Sequence, residues 1–268
     1  MTVKESAAAL AAKGRYDFED LVEIVTILRS EDGCPWDREQ DHRSIREDLI
    51  EETYEVIEAI DTEDPKLLRE ELGDLMLQVV FHTRIEEEEG RFDIGDVAND
   101  ICAKLIHRHP HVFGDISVSG TSEVLSNWEK IKSDEKERRT VTDKLRSIPP
   151  MLPALMRATK VGKKASCFDF EDASAVMDKV AEEMVEVSEA IECGESEHIK
   201  EEIGDLLLTV TSLCRKLGVS AEEALNNATD KFINRFELIE NKVISEGKDI
   251  NSMEMAELDA IWEQIKQK

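Results

Sequence analysis

One acidic pattern occurs twice in this chain of 268 residues, and no other feature constrains its fold as much. Glu51-Glu52-Thr53-Tyr54-Glu55 is followed after fifteen residues by Glu71-Leu72-Gly73-Asp74. Glu182-Glu183-Met184-Val185-Glu186 is followed after fifteen residues by Glu202-Ile203-Gly204-Asp205, so every acid recurs at a shift of 131. Later blocks repeat in the same order. Lys104-Leu105-Ile106-His107-Arg108 is answered by Lys231-Phe232-Ile233-Asn234-Arg235, and Trp128-Glu129-Lys130-Ile131-Lys132 by Trp262-Glu263-Gln264-Ile265-Lys266. Offsets drift by a few residues between blocks, as loop insertions and deletions produce. An ordered series of this kind is a duplicated domain.

The proline cluster Ile148-Pro149-Pro150-Met151-Leu152-Pro153 separates the copies, because Pro and the residue before it avoid the helical region. The expected domains are residues 1–140 and 152–268. Glu, Lys, Ala, Leu and Ile dominate, with only 12 Gly and 6 Pro, so the fold class is all-α, two tandem helical bundles. Apolar positions such as Leu49, Ile50, Tyr54, Val56, Ile57 and Ile60 recur at helical spacing. They predict helices near 18–29, 45–60, 66–88, 94–109 and 121–137 in copy one. In copy two the expected helices are 154–165, 171–192, 196–217, 220–246 and 254–267. Asp61 to Pro65 is short enough that its flanking helices pack antiparallel.

A formal charge of −27 opposes a nucleic acid duplex or an anionic membrane as partner, though a small anion held through metal ions fits. No apolar run is long enough to span a membrane. The five cysteines are scattered without a CxxC pair, which predicts reduced thiols and a cytoplasmic protein.

Helical residues three or four apart share a face. Glu183 and Glu186 therefore project together, as do Glu202 and Asp205 on the next helix, with Glu182 on the same edge. Copy one offers Glu51, Glu52, Glu55, Glu71 and Asp74. Carboxylates gathered so closely repel unless protonated or splayed apart, and an oxygen-seeking divalent cation removes that conflict. Di-iron bundles combine Glu with Glu-x-x-His, and no such His stands here. The all-oxygen set favours Mg²⁺, with Mn²⁺ as a substitute. A solvated acidic face is the bland alternative, which pairing and repetition disfavour. Gly73 and Gly204 lie inside helical patterns, where Gly costs about 1 kcal/mol relative to Ala, so close approach of another helix or of a ligand is expected, packing being the commoner reason.

Lys231 and Arg235, like Lys104 and Arg108, lie four apart and either neutralise phosphates or form surface pairs with nearby acids. Trp262 and Trp128 stack on a base or plug a core, the second being commoner. The loop Gly33-Cys34-Pro35-Trp36-Asp37, with Gln40, Asp41 and His42, either covers a nucleotide or caps the 45–60 helix. Lys160, Lys163 and Lys164 add local positive charge, and His107, His109 and His111 flank a Pro turn.

Both copies resemble the MazG family of nucleoside triphosphate pyrophosphohydrolases, whose signature is E-E-x-x-E, a spacer and E-x-x-D. Gly33 to His42 and Arg108-His109-Pro110-His111-Val112-Phe113-Gly114-Asp115 look like the two-domain members. The resemblance covers nearly the whole chain. It implies an all-α pyrophosphatase fold, a homodimer and Mg²⁺-dependent hydrolysis of nucleoside triphosphates between the α and β phosphates. It further implies broad base tolerance and a part in cleaning nucleotide pools, carried chiefly by the C-terminal copy. The metal ligands would be Glu183, Glu186, Glu202 and Asp205, matched in copy one by Glu52, Glu55, Glu71 and Asp74. Glu182 and Glu183 would serve catalysis, Lys231 and Arg235 would bind phosphates, and Trp262 would contact the nucleotide. One departure is that Lys164 to Phe170 is short and ends in Phe rather than Trp. The other is that copy one keeps its acids, for which a structural or regulatory role is expected. Rival readings are a pyrophosphatase narrow for a deoxy or damaged nucleotide, and a non-catalytic helical interaction module.

Overall fold

Side chains that cap helix starts decide much of the layout. Asp17, Asp93 and Thr140 each accept from the backbone N–H three residues on, while the residue there bonds back to the cap's own N–H. These reciprocal pairs satisfy amides that a helix start otherwise leaves unbonded. In the computed structural model, which describes residues 2–135 and 140–266 (with only the backbone of 133 and 134), the chain divides into two compact units, 1–129 and 130–268.

The first unit contains α1 (Val3–Ala11), α2 (Phe18–Arg29), α3 (Pro35–Glu39), α4 (Arg46–Asp61), α5 (Pro65–Glu88), α6 (Ile94–Arg108) and α7 (Pro110–Phe113). Next comes α8 (Thr121–Glu135), whose residues run past the division. The second unit holds α9 (Val141–Arg146), α10 (Ala154–Lys164), α11 (Ala173–Cys193), α12 (Ser196–Lys216), α13 (Ala221–Ser245), a 3₁₀ turn at Ile250–Ser252 and α14 (Met255–Lys266). No strand occurs among the described residues. None of their helices is long and apolar enough to cross a membrane. The long helices lie within two residues of their expected bounds, and expected positions 137 and 267 fall outside the described residues.

Each unit is organised on one antiparallel hairpin, α4–α5 and α11–α12. In the first, α2 packs on α5, and Val25, Ile45, Val80, Phe81 and Ile85 form the core. Val25 and Val80 are almost fully enclosed, and burying a Val side chain contributes roughly 1.5–3 kcal/mol. In the second, α10 rests on α12 and α13, while Ile239, Val243 and Ile261 form a core between α13 and α14.

Within the expected loop, Pro35–Glu39 forms a short helix. Pro35 opens it at a position where a missing N–H is harmless. Buried Arg29 fixes it from below, donating to the Asp37 and Gln40 carbonyls at 2.7 and 3.0 Å while forking onto Glu88. Gly33 is required there, since a Cβ would stand 2.1 Å from the Ile27 carbonyl oxygen. The expected cap of α4 by this segment is also displaced. Asp41 and Ser44 bond each other's backbone one turn early, and Ile45 begins α4 without a side-chain cap. Nor do Gly73 and Gly204 mark close packing within the chain: a Cβ at either would meet nothing within 4 Å.

Candidate active site

The turn between α4 and α5 is tight because Asp64 accepts from Lys66 N–H and Leu67 N–H, Pro65 starts α5, and Glu63 takes a left-handed φ of 54°. Between α11 and α12, Gly194 supplies the left-handed residue, with φ 73°. Turns this short bring the acids of both helices opposite one another. In the first unit, carboxylate oxygens of Glu52, Glu55 and Glu71 lie within 4.8 Å of one another; in the second, those of Glu183, Glu186 and Glu202 do. Each set contains one buried acid, Glu71 at 8% exposure and Glu183 at 4%. Asp74 is half-buried and Asp205 exposed, and both stand outside these triplets. Glu51 is exposed, as is Glu182.

The two sets are neutralised differently. Burial first, and then the charges of neighbouring acids, push the pKa of Glu52 and of Glu71 upward. In the second unit Lys179 reaches in from the preceding turn of α11, its Nζ 2.7 Å from Glu182, 2.9 Å from Glu183 and 3.7 Å from Glu186. These hydrogen bonds hold the ammonium pKa above its ordinary value. Glu186 is still raised, mainly by burial, with Lys179 pulling the other way. At the matching offset of 131 the first unit has Asp48, another acid. His198 Nδ1 adds a 3.4 Å contact to Glu202, an attraction only when the ring is protonated.

Both sets fit a hard divalent cation. Their donors are oxygens only, and Glu183 Oε2 is buried without a hydrogen-bond partner among the described residues. A cation there would serve an oxygen that the protein leaves unserved. Lys179 escaped the sequence reading, although its position three, four and seven residues before the glutamates was a usable signal.

Lys231, Arg235 and Trp262 sit on α13 and α14. Lys231 is exposed, and the Arg235 guanidinium lies over the Trp262 ring at 5.8 Å. Trp262 is half-buried against Ile239, Val243 and Ile261, with Phe232 5.4 Å from its ring centre, so it packs on the core and still shows an edge. Among the described residues no ion pair joins Lys231 or Arg235 to the acids. The first unit repeats the pairing: buried Arg108 covers the Trp128 ring at 5.2 Å. The segment before α11 is tied down by Asp169, which pairs with Arg215 and, at 3.0 Å, with Lys216; Phe168 beside it is 93% exposed.

The family model described as the MazG nucleotide pyrophosphohydrolase domain matches the chain twice, over residues 40–113 and 170–238. Each match contains one acid triplet. A nucleoside triphosphate pyrophosphohydrolase of Escherichia coli (strain K12) is 43% identical over 253 residues, covering 92% of this chain and 95% of that protein. The nucleoside triphosphate pyrophosphohydrolase/pyrophosphatase MazG of Thermotoga maritima is 43% identical over 251 residues, covering 93% and 95% respectively. The uncharacterized protein YabN of Bacillus subtilis is 42% identical over 255 residues, 94% of this chain and 52% of its own length.

Proposed function

The chain belongs to the MazG nucleotide pyrophosphohydrolase family and is an enzyme, a nucleoside triphosphate pyrophosphohydrolase; from that premise we propose how its residues perform the reaction and what it requires. The substrate is a nucleoside triphosphate of any common base, split by water into the monophosphate and pyrophosphate. The observation that carries this reading is the carboxylate triplet Glu183, Glu186 and Glu202, gathered on two antiparallel helices; Asp205, exposed on α12 one turn after Glu202, would complete the ligand set.

These four residues would hold Mg²⁺, which when bound offsets phosphate charge and makes a water more acidic. Glu182, exposed at the mouth of the set, orients the attacking water and takes its proton, with Glu183 as its neighbour. Oxygen attacks the α-phosphorus in line, a new P–O bond forms, and the bond to the bridging oxygen of the β-phosphate breaks. Pyrophosphate leaves with that electron pair, and Lys231 and Arg235 meet its charge. Trp262 offers its open edge to the nucleotide.

Glu52, Glu55, Glu71 and Asp74 form a second set of cation ligands in the N-terminal copy. We place that copy at residues 1–140 and give it a supporting role; the copy at 152–268 is the principal catalyst. The working form is a homodimer. Exposed Tyr54, Ile57, Leu72 and Met76 in the first unit, Met184, Val185, Ile203 and Leu207 in the second, and the open space beside Gly73 and Gly204 support a second copy covering both hairpins. Free cysteines throughout support a cytoplasmic location.

The test is product analysis with a panel of ribo- and deoxynucleoside triphosphates, with and without Mg²⁺. Monophosphate plus pyrophosphate from several bases, abolished by chelator and restored by Mg²⁺, is expected. Diphosphate plus phosphate, or undiminished turnover in chelator, would overturn the assignment.

A further inference from the structure

Arg157, Lys160 and Lys163 lie apart from the acids. They belong to the longest stretch of the chain without a carboxylate: from Lys144 to Phe168 there is no Asp or Glu and there are six Lys or Arg, in a chain whose formal charge is −27. Helical spacing decides how they are displayed. Leu155, Ala158, Thr159 and Gly162 are half-buried and turn α10 inward onto α12 and α13. Gly162 sits close on Arg215, where a Cβ would stand 3.1 Å from the guanidinium Nε. Arg157 and Lys160 therefore occupy the outer face, with Lys163 at its edge, and all three are exposed. Among the described residues no ion pair holds any of them.

Flanking acids are engaged elsewhere. Glu222 accepts from the Met156 N–H at 3.1 Å, and Asp169 pairs with Arg215 and, at 3.0 Å, with Lys216. The same contacts fix where the stripe lies relative to the acid set. Arg215 is ten residues past Asp205 on α12, and Glu222 is nine before Lys231 on α13, roughly 15 Å in either case at about 1.5 Å per residue. Copy one has no equivalent. There α2 packs on α5 as α10 packs on α12, but α2 carries Glu19, Asp20 and Glu23, and its single cation, Arg29, is buried against Glu88.

A nucleoside triphosphate stays anionic with Mg²⁺ bound, and it must approach a cage of carboxylates in a strongly acidic protein. Such a field slows encounter unless local cations reverse it along the approach. We propose that the outer face of α10 is an electrostatic guide for the triphosphate. Arg157, Lys160 and Lys163 draw its phosphates to the catalytic unit by long-range attraction, then release them to the carboxylate set without entering the bound complex. The inference rests on the reading of Glu183, Glu186 and Glu202 as the cation site of the reaction. A duplex or a membrane would lie over the surrounding acids as well, whereas a triphosphate is small enough to feel the stripe alone. Because α2 is acidic where α10 is basic, the guide serves only the C-terminal copy.

The experiment follows association and dissociation of a fluorescent α,β-methylene analogue of ATP with the full chain in Mg²⁺ by stopped flow, alongside steady-state turnover of ATP. The test protein carries Arg157→Gln, Lys160→Gln and Lys163→Gln together. At about 0.01 M ionic strength, where the Debye length is about 30 Å, its association rate is expected to fall roughly fivefold, and the gap closes at about 0.5 M salt. Dissociation and kcat stay within about twofold of wild type, which shows that the variant is folded, while kcat/KM falls with association. A control carrying Lys4→Gln, Arg15→Gln and Lys66→Gln, all exposed in the first unit, changes net charge equally and leaves association within about twofold. Equal losses in both variants would make net charge the cause. A loss that persists in high salt, or that appears in dissociation, would make these cations direct contacts. Either result overturns the guide, as does an unchanged association rate; if the dimer then weakens in sedimentation, the stripe belongs to the acidic surface of a second copy. No Mg²⁺-dependent binding of the analogue to wild type, together with no pyrophosphate release, would instead bring down the reading of the acid set.

Discussion

The two carboxylate triplets use the same residue type at the same offsets on matching helices, yet one carries its own cation and the other does not. In the C-terminal set Lys179 lies against three glutamates; in the N-terminal set the corresponding residue is Asp48, and the crowding is relieved by raised pKa values at Glu52 and Glu71. An internal ammonium stabilises a cage of acids when no metal is present and must be displaced, or share its acids, when one arrives. A cage lacking it depends on protons or metal. The difference teaches that two sets of acids matched in residue type and spacing can have their charge offset in different ways, by a neighbouring ammonium or by protons.

The largest expected effect separates the halves by activity. Glu183→Gln lowers pyrophosphate release at saturating Mg²⁺ and substrate by roughly 10²–10³-fold, the range for removing one transition-state stabilising group. Glu52→Gln changes it by less than about twofold. Equal losses from both would erase the functional distinction between the copies. The next effect concerns Lys179, whose side chain is about one-third exposed. Replacing it by Met should lower the thermal midpoint in chelator by a few degrees at most, because solvent screens these partly exposed ion pairs. The rise on adding Mg²⁺ grows in the variant, as the acids lose their substitute cation. Differential scanning calorimetry with and without metal measures both quantities. A midpoint that does not move in chelator means Lys179 is no counter-charge.

The reciprocal change is smaller. Asp48→Lys places a cation four residues before Glu52 and should raise the metal-free midpoint by about 1–2 °C while reducing the gain from Mg²⁺. A drop would show that α4 cannot direct a lysine as α11 does. Smallest is an acid effect at the anchoring carboxylates outside the cages. Arg91 holds the Glu86 pKa at about 2, and Arg215 holds Asp169 well below its ordinary value. For a carboxylate whose folded pKa is depressed, the stabilisation is complete above its unfolded value, near 4.5 for Glu86, and is lost as pH falls toward about 2. Glu86→Gln should therefore lower the midpoint at pH 6 and leave it unchanged near pH 2. A pH-independent difference between wild type and variant would remove ionisation as its cause.

Much of this was legible in residue order. Helix bounds came through because apolar spacing and Pro or Gly punctuation act over a few residues, and the triplets because i,i+3 acids on helices joined by a short turn must face each other. Helices α1, α3, α7 and α9 were missed: each is nine residues or shorter, too brief for a periodic signal. Trp262 could be read either as core or as ligand contact, and the structure packs it half-buried against Ile239, Val243 and Ile261. The His42, His82 and Glu86 cluster was not legible, since His82 and Glu86 lie one turn apart on α5 but His42 comes forty residues before His82 and meets them only when the turn before α4 docks on α5.

By itself the sequence determined the helical class, the duplication and the presence of two sets of facing acids, all consequences of spacing along a single helix or across one turn. Only the tertiary structure decided which acid of each set is buried, which has an ammonium beside it and which histidine nitrogen is left without a partner. Those depend on what a neighbouring segment places within a few ångströms, and Coulomb and desolvation energies change most steeply over that distance.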